Sequence, residues 1–486
     1  MRGLSKSRIL AGLQCPKRLY LETFHKELAA IREQAQRLFD IGHEVGPVAR
    51  RLHPDGILLH HQDDLSRAVE ETRQLLAQES PVPLFEATFS QDGVLVRVDV
   101  LEKNTSGLVL TEVKAAASVK PQYYPDCAIQ AWVVQRAGYQ LASVNLAHVD
   151  SSFVYRREGD YAGLLHTVDV SEEVHDLVPR VRDWISTCQQ TLEGDLPDVD
   201  VGPQCKTPYE CPFYHHCNAA ETEYPVTTLP WGGKVVEKLL EEGIVDIRDV
   251  PPGRLTNERH VRIREVVLSG EPFLDPEARS IVRTLSYPRY YLDFETIAFA
   301  VPIWLGTRPY QQLPFQWSCH IETTPGDIQH REFLDVTGNS PMRHFAESLI
   351  EGLGVSGPVI VYNAAFEKRI IRGLAQMLAD LAPALEAIID RVFDLLPVAR
   401  NHYYHPAMQG SWSIKSVLPT IAPDLDYQRL EGVQHGGEAQ EAYLECIHPE
   451  TSSERKLELE RHLTEYCALD TLAMVRIAHY FESDVE

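Results

Sequence analysis

The stretch Tyr290-Tyr291-Leu292-Asp293-Phe294-Glu295-Thr296 decides how the second half of the chain is read. It is an apolar strand that ends in two carboxylates two residues apart. In a strand, residues i and i+2 point to one face, so Asp293 and Glu295 project together. Like charges on one face repel, and a divalent cation is the usual reason a fold keeps them. Oxygen-only ligands select Mg²⁺ or Mn²⁺. Working outward, Pro358-Val359-Ile360-Val361-Tyr362 reads as a second strand, followed by Asn363-Ala364-Ala365-Phe366-Glu367 opening a helix. Val392-Phe393-Asp394 is a short apolar segment closing on an acid, and Asp394 offers a substitute ligand for Glu367. Tyr466-Cys467-Ala468-Leu469-Asp470 lies on a late helix, where Tyr466 and Asp470 at i and i+4 share a face.

These three motifs, in this order, resemble the DnaQ-like exonucleases of the DEDDy type, which have an RNase H-like fold. The resemblance implies that Asp293, Glu295, Glu367 and Asp470 hold two metal ions, that Tyr466 orients or deprotonates the attacking water, and that hydrolysis runs from 3′ ends. The family has Asp in the second motif where this chain has Glu367, whose extra methylene lengthens the reach of the carboxylate.

A second constellation lies upstream. Val94-Leu95-Val96-Arg97-Val98-Asp99 ends one predicted strand and Leu110-Thr111-Glu112-Val113-Lys114 ends the next, with Glu112 and Lys114 on one face. The turn Gln91-Asp92-Gly93 makes a hairpin of the strands around it. Asp99, Glu112 and Lys114 are similar to the PD-(D/E)xK nucleases of the restriction-endonuclease-like fold. In that family the acids hold metal and the lysine orients water and steadies developing charge. Asp126-Cys127-Ala128-Ile129-Gln130-Ala131-Trp132 stands where RecB-like nucleases carry a helix with a glutamine, which Gln130 matches. Glu86 on the strand Leu84 to Phe89 is a further candidate ligand. The upstream G-x-x-x-H of those enzymes is absent, since Gly46 follows Gly42 at that spacing and His43 is out of register.

Cys15 precedes this core, and Cys205, Cys211 and Cys217 follow it. One early and three late cysteines, within Cys-Pro-Lys-Arg-Leu-Tyr-Leu and Tyr-x-Cys-Pro-Phe, resemble the iron–sulfur RecB-like nucleases. The resemblance implies a [4Fe–4S] cluster on the four thiolates, stapling the two arms of the domain; from the residues alone, four thiolates also suit Zn²⁺.

With 486 residues, 44% of them hydrophobic, the chain should hold two or three domains. The boundaries fall at 1–220 for a RecB-like nuclease, 221–285 for a helical connector, and 286–486 for a DnaQ-like exonuclease. The whole is an α/β protein, resembling bacterial fusions of the two nucleases. The polar stretch Glu431 to Arg455 reads as a mobile loop. No apolar run is long enough for a membrane span, and Met1 to Ser7 lacks the apolar core of a signal peptide, so a cytoplasmic location is expected. Nine scattered cysteines argue against a disulfide framework. A net charge of −24 excludes a basic coat protein but leaves room for a nuclease with a local basic groove. The expected partner is nucleic acid, with DNA favoured over RNA. Two other readings stand beside it: a non-catalytic nucleic-acid-binding or scaffold protein with degenerate sites, and an RNA-trimming exoribonuclease.

Overall fold

Buried and half-buried residues alternate along Val94–Asn104, the signature of a strand with one face in a core. The computed structural model describes residues 4–30, 45–60, 64–78, 82–218 and 222–483. It is a mixed α/β structure, as the sequence predicts. The chain divides into two compact units, 1–219 with 299–311, and 220–298 with 312–486.

Unit 1 begins with β1 (Leu4–Ser5), α1 (Lys6–Gln14) and α2 (Pro16–Phe24). The sequence reads as one helix here. Cys15 is extended instead, at φ −164°, because the residue before a proline is pushed out of the helical region. Then come β2 (Ile57–Leu58), α3 (Leu65–Leu76), β3 (Leu84–Gln91), β4 (Val94–Asn104), β5 (Gly107–Lys114), α4 (Tyr124–Arg136), β6 (Leu141–Val149), β7 (Leu165–Asp169) and α5 (Val181–Glu193). The sheet order is β2-β3-β4-β5-β6-β7, with β1 beside the start of β4. Asp92 and Gly93 both have positive φ, which gives the β3–β4 hairpin its two-residue turn.

In sequence, Ser152 to Tyr155 reads as a strand and Glu172 to Leu192 as one helix, and both readings fail in unit 1. Ser152 to Tyr155 is not a strand: the Asp150 carboxylate accepts both the N–H and the hydroxyl of Ser152, closing a turn. The helix expected over Glu172 to Leu192 is interrupted at Val178–Arg180, where Pro179 supplies no N–H. The expected helix from Gln34 to Ala49, with Gly42 and His43, falls largely outside the described residues.

In unit 2, α6 (Gly233–Glu241), α7 (Glu258–Ser269) and β8 (Phe273–Leu274) lead to β9 (Arg289–Ile297), β10 (Leu313–Thr324) and β11 (Asp327–Leu334). After α8 (Met342–Leu353) come β12 (Val359–Val361), α9 (Ala364–Met377), β13 (Val392–Asp394), α10 (Leu395–His402) and β14 (Tyr403–Tyr404). The chain closes with α11 (Gly436–Ile447) and the 30-residue α12 (Ser453–Glu482). The sheet order is β11-β10-β9-β12-β13: β9, β10 and β11 form an antiparallel meander, and β12 and β13 add parallel to β9. The residues read as a connector contribute Val226, Leu239 and Ile263 to one core with Tyr291, Ile360, Tyr403 and Met474.

The expected mobile loop over Glu431 to Arg455 is another failure. Its middle is α11, which buries Ala439, Ala442, Tyr443 and Cys446. Tyr443 stacks on Phe315 with ring centroids 3.8 Å apart.

Candidate functional site

The pairing of β9 with β12 covers only Tyr290 and Tyr291, so Asp293 and Glu295 lie beyond β12 while staying paired to Ser318 and Gln316 of β10; the strand runs on to Ile297 instead of ending at the two carboxylates. α12 packs on this sheet: Gln316 donates to the Leu463 carbonyl at 2.9 Å and Ser318 meets Thr471 at 2.9 Å. That docking brings Tyr466, Cys467 and Asp470 to the same place. Ligand atoms of Asp293, Glu295 and Cys467 lie within 4.8 Å of one another. Glu367, in the first turn of α9, is buried, and its Oε2 has no hydrogen-bond partner.

The carboxylates converge on Asp293. Burial pushes its carboxyl well up, and Asp470, Glu295 and Glu367 push it further, in that order. Burial, with a smaller contribution from Asp394, raises Glu367 to about 8. Burial also raises Asp470, opposed by a hydrogen bond from Tyr427, the charge of Lys415 and the Tyr466 hydroxyl. The Tyr427 hydroxyl donates to Asp470 Oδ1 at 2.6 Å. Burial first, and then Asp470, Glu295 and Asp293, hold the Tyr466 phenol protonated far above its ordinary range. With the carboxylates uncompensated, the Tyr466 hydroxyl is protonated and able to donate to Asp470. Lys415 Nζ sits 4.8 Å from the Tyr466 ring centroid and 4.9 Å from that of Tyr427, and donates to the Gln434 carbonyl at 2.7 Å. Asp394 has another task. Its carboxylate accepts from the backbone N–H groups of Asn363, Ala364 and Leu396 at 3.0–3.1 Å, holding Asn363 at φ 106° where α9 begins.

The unit 1 site lies in a fork. Pairing of β4 with β5 runs from Asn104 back to Val100, while β1 pairs with β4 at Val94 and Leu95. Asp99 stands between these two pairings, and its Oδ2 accepts from Val113 N at 2.7 Å. Glu112 and Lys114 continue the face on which Leu108 and Leu110 are buried. Lys114 Nζ reaches Glu112 Oε1 at 2.7 Å and Asp126 Oδ2 at 2.6 Å. Gln130 Nε2 donates to Glu112 Oε2 at 2.6 Å and to Asp126 Oδ1 at 2.9 Å, and its own Oε1 is buried without a partner. Lys6, the first residue of α1, lies 2.9 Å from Glu112 and 2.8 Å from Asp126. Burial, followed by Glu112, raises Asp99 to about 8. Burial of Asp126 is overcome by Lys6 and Lys114, which hold its carboxyl below the usual range. The register of β3 on β4 sets Glu86 opposite Asp99, at a strained φ of 57°.

Lys6, Asp126, Tyr427 and Lys415 were not singled out from the sequence. Asp126 carried a signal, its i, i+4 spacing to Gln130 on a helix following Glu112-x-Lys114. The other three reach their sites through long-range contacts with no local pattern.

The four cysteines also come together. Gln14 Nε2 ties the first arm to the last by donating to the carbonyls of Gln204 (2.7 Å) and Tyr209 (2.6 Å). Cys211 N donates to Cys205 O at 2.7 Å, and Leu21, Cys205, Cys211 and Phe213 form a small buried cluster against Cys217. Burial raises the Cys211 and Cys217 thiols, and Cys205 and Cys15 are among the groups that act on both. All nine cysteines are free thiols.

Residues 290–413 match the profile of a domain of unknown function, DUF2779. That span contains Asp293, Glu295, Glu367 and Asp394. The chain is 28% identical over 222 residues to an uncharacterized homologue of protein MG366 from Mycoplasma pneumoniae, covering 41% of this chain and 33% of the relative. It is 24% identical over 221 residues to the uncharacterized protein MG366 of Mycoplasma genitalium, covering 41% and 32%. The chain thus spans about a third of the length of these curated relatives.

No helix among the described residues is long and apolar enough to cross a membrane.

Proposed function

We propose that the chain is a metal-dependent nuclease acting on single-stranded DNA through two separate sites, the one in unit 2 being a DnaQ-like 3′–5′ exonuclease. The observation that carries this reading is the close approach of Asp293 and Glu295 on β9, the central strand of a β11-β10-β9-β12-β13 sheet, with Asp470 and Glu367 near enough to act on Asp293. Buried like charges are costly unless cations compensate them, and this donor set fits Mg²⁺ or Mn²⁺. Bound there, the metals would supply an activated water and charge stabilisation. Tyr466 positions that water by hydrogen bonding, and Tyr427 fixes the orientation of Asp470. The water oxygen forms a bond to phosphorus as the bond from phosphorus to the penultimate 3′ oxygen breaks. The 3′ oxygen takes up the proton, and a nucleoside 5′-monophosphate leaves.

In unit 1, Asp99 and Glu112 would hold metal, Lys114 would steady the developing charge, and Gln130 orients Glu112. The convergence of Cys15, Cys205, Cys211 and Cys217 on the arms of the same unit fits a [4Fe–4S] cluster as a structural staple. Lys6 favours a second reading for this site alone. By bridging Glu112 and Asp126 it supplies the compensating charge that a metal otherwise brings, as a binding module with a degenerate centre would have. The deciding experiment is digestion of 5′-end-labelled single-stranded DNA, with RNA in parallel, by anaerobically purified protein with Mn²⁺. Stepwise shortening of the labelled strand, abolished by Asp293→Asn, is expected. A labelled strand that stays full length in every metal would overturn the reading.

A further inference from the structure

The turn Leu229-Pro230-Trp231-Gly232-Gly233 of unit 2 holds a large aromatic side chain out to solvent. Trp231 is 69% exposed. Its φ is 52°, a conformation costly for a bulky residue that persists only where neighbours enforce it. They do so here. Gly232 N donates to Leu229 O at 3.1 Å, the buried His260 ring places Nε2 2.7 Å from Pro230 O, and Gly410 leaves no room for a Cβ against Thr228 O. A strained, clamped and exposed tryptophan is not explained by packing.

Two guanidinium groups flank it. The Cζ atoms of Arg259 and Arg400 lie 5.6 and 5.5 Å from its ring centroid. Arg259 is steadied by Asn401 Oδ1 at 3.1 Å, and the Nε of Arg400 is buried without a hydrogen-bond partner. Asp275 and Glu258 act on the neighbouring Arg262, but among the described residues neither Arg259 nor Arg400 forms an ion pair with a carboxylate. On a chain of net charge −24, two guanidinium groups set over one exposed indole, with no carboxylate paired to either among the described residues, are a local exception.

We infer that Trp231, Arg259 and Arg400 form a platform for the single-stranded substrate, a base stacking on the indole and backbone phosphates engaging the two guanidinium groups. Stacking is indifferent to base identity, and duplex bases are not free to stack, so the platform selects single strands without reading sequence. The inference rests on the nuclease reading and adds its substrate-binding surface.

The test is fluorescence anisotropy of a 5′-labelled dT oligonucleotide with the full chain carrying Asp293→Asn, in chelator so that neither site turns over. Adding Trp231→Ala should weaken binding by about 5- to 150-fold, the range for losing one stacked base. Trp231→Phe, which keeps a ring, should recover most of it and guards against a folding defect. Arg259→Ala and Arg400→Ala should each lower the slope of log Kd against log salt by about 0.7. Arg343→Ala, removing an arginine already paired with Asp380, should change neither quantity. Wild-type affinity in Trp231→Ala, or unchanged salt slopes in both arginine variants, overturns the platform while leaving the nuclease reading intact if the wild-type protein degrades the oligonucleotide with Mn²⁺. An oligonucleotide neither bound nor degraded removes both.

Discussion

Lys6 Nζ lies 2.9 Å from Glu112 Oε1 across 106 positions of sequence. The same ammonium reaches Asp126 at 2.8 Å, so the first helical residue of the chain acts as a fixed cation in the unit 1 site. Removing it should expose how strongly that site wants positive charge. Lys6→Met keeps the aliphatic stem and deletes the charge, which leaves Glu112 and Asp126 sharing Lys114. A stability loss of about 1–3 kcal/mol is expected, below the full cost of breaking a buried pair because the lysine is partly exposed. Mn²⁺ should restore more stability to the variant than to its parent, since a cation-deficient site binds metal more tightly. Thermal unfolding with and without Mn²⁺, in an Asp293→Asn background, checks this. Equal metal-induced shifts in variant and parent would count against it.

Acid-induced changes carry the opposite sign from the usual carboxylate case. Glu367 and Asp99 are each raised to about 8. Between about pH 4.5 and 8 the folded state then holds protons that the unfolded state has released. Their contribution to metal-free stability is fully present below that window and is lost as pH rises through 8. The slope should approach about 1.4 kcal/mol per pH unit for each such group. Glu367→Gln removes one titration, and its curve of stability against pH, measured in chelator, should be flatter than that of the wild type. A Glu367→Gln curve that falls as steeply as the wild type's between pH 5 and 8 would contradict the Glu367 assignment.

Two tyrosines in unit 2 should fail differently. Tyr466→Phe removes the donor expected to position water, so turnover should fall by about 10²-fold or more with little change in the metal concentration needed. Tyr427→Phe removes the 2.6 Å hydrogen bond to Asp470, so its main effect should be a higher metal requirement. Mononucleotide release titrated with Mn²⁺ separates the two. The same metal dependence in both variants would mean that the tyrosines act as one unit.

The parts of the sites readable in sequence are those written in local periodicity. Asp293 and Glu295 share a strand face because they are two apart, and Tyr466 and Asp470 share a helix face because they are four apart. Glu112 and Lys114 follow the first rule. The parts that were not readable depend on what the chain meets after folding. Tyr427 is fixed by an aspartate 43 positions away, and Lys6 by acids more than a hundred positions away. Asp394 looked like a spare ligand because an acid after an apolar strand is ambiguous, and only the three amide groups it accepts from reveal its capping role. α11 was hidden because Gly436-Gly437-Glu438-Ala439-Gln440 dilutes its apolar stripe. The stacking of Tyr443 on Phe315, a long-range contact, accompanies its burial against the sheet unit.

The cysteine set makes a claim that needs no substrate. Protein purified without air should be brown, with iron and sulfide in amounts matching one four-iron cluster. Cys211→Ser should lose the iron and lower the unfolding temperature, because the proposed cluster would join two arms that are otherwise held by side-chain contacts such as those of Gln14. Stoichiometric zinc without iron in the native protein would replace the cluster by a structural zinc site.

The two proposed nuclease sites should be separable, because their residues come from different compact units of the chain. Asp293→Asn keeps the size of the side chain and removes the charge on which the other three carboxylates converge. It should abolish release of mononucleotides from 3′ ends. Lys114→Ala keeps Asp99, Glu112 and Asp126 but deletes the cation that lies 2.6–2.7 Å from two of them. It should abolish the remaining activity, from 5′ ends or internal, and spare 3′ trimming. Effects at independent sites add, so each single variant should lose one product class and the double variant should be inert. Ca²⁺ should bind at the carboxylates without supporting turnover, since its loose coordination does not hold a water in line. If Asp293→Asn alone removes every product, unit 1 is a binding module and Lys6 is the residue that made it one. If Lys114→Ala alone does so, unit 2 has lost its chemistry, and the longer reach of Glu367 is the first place to look.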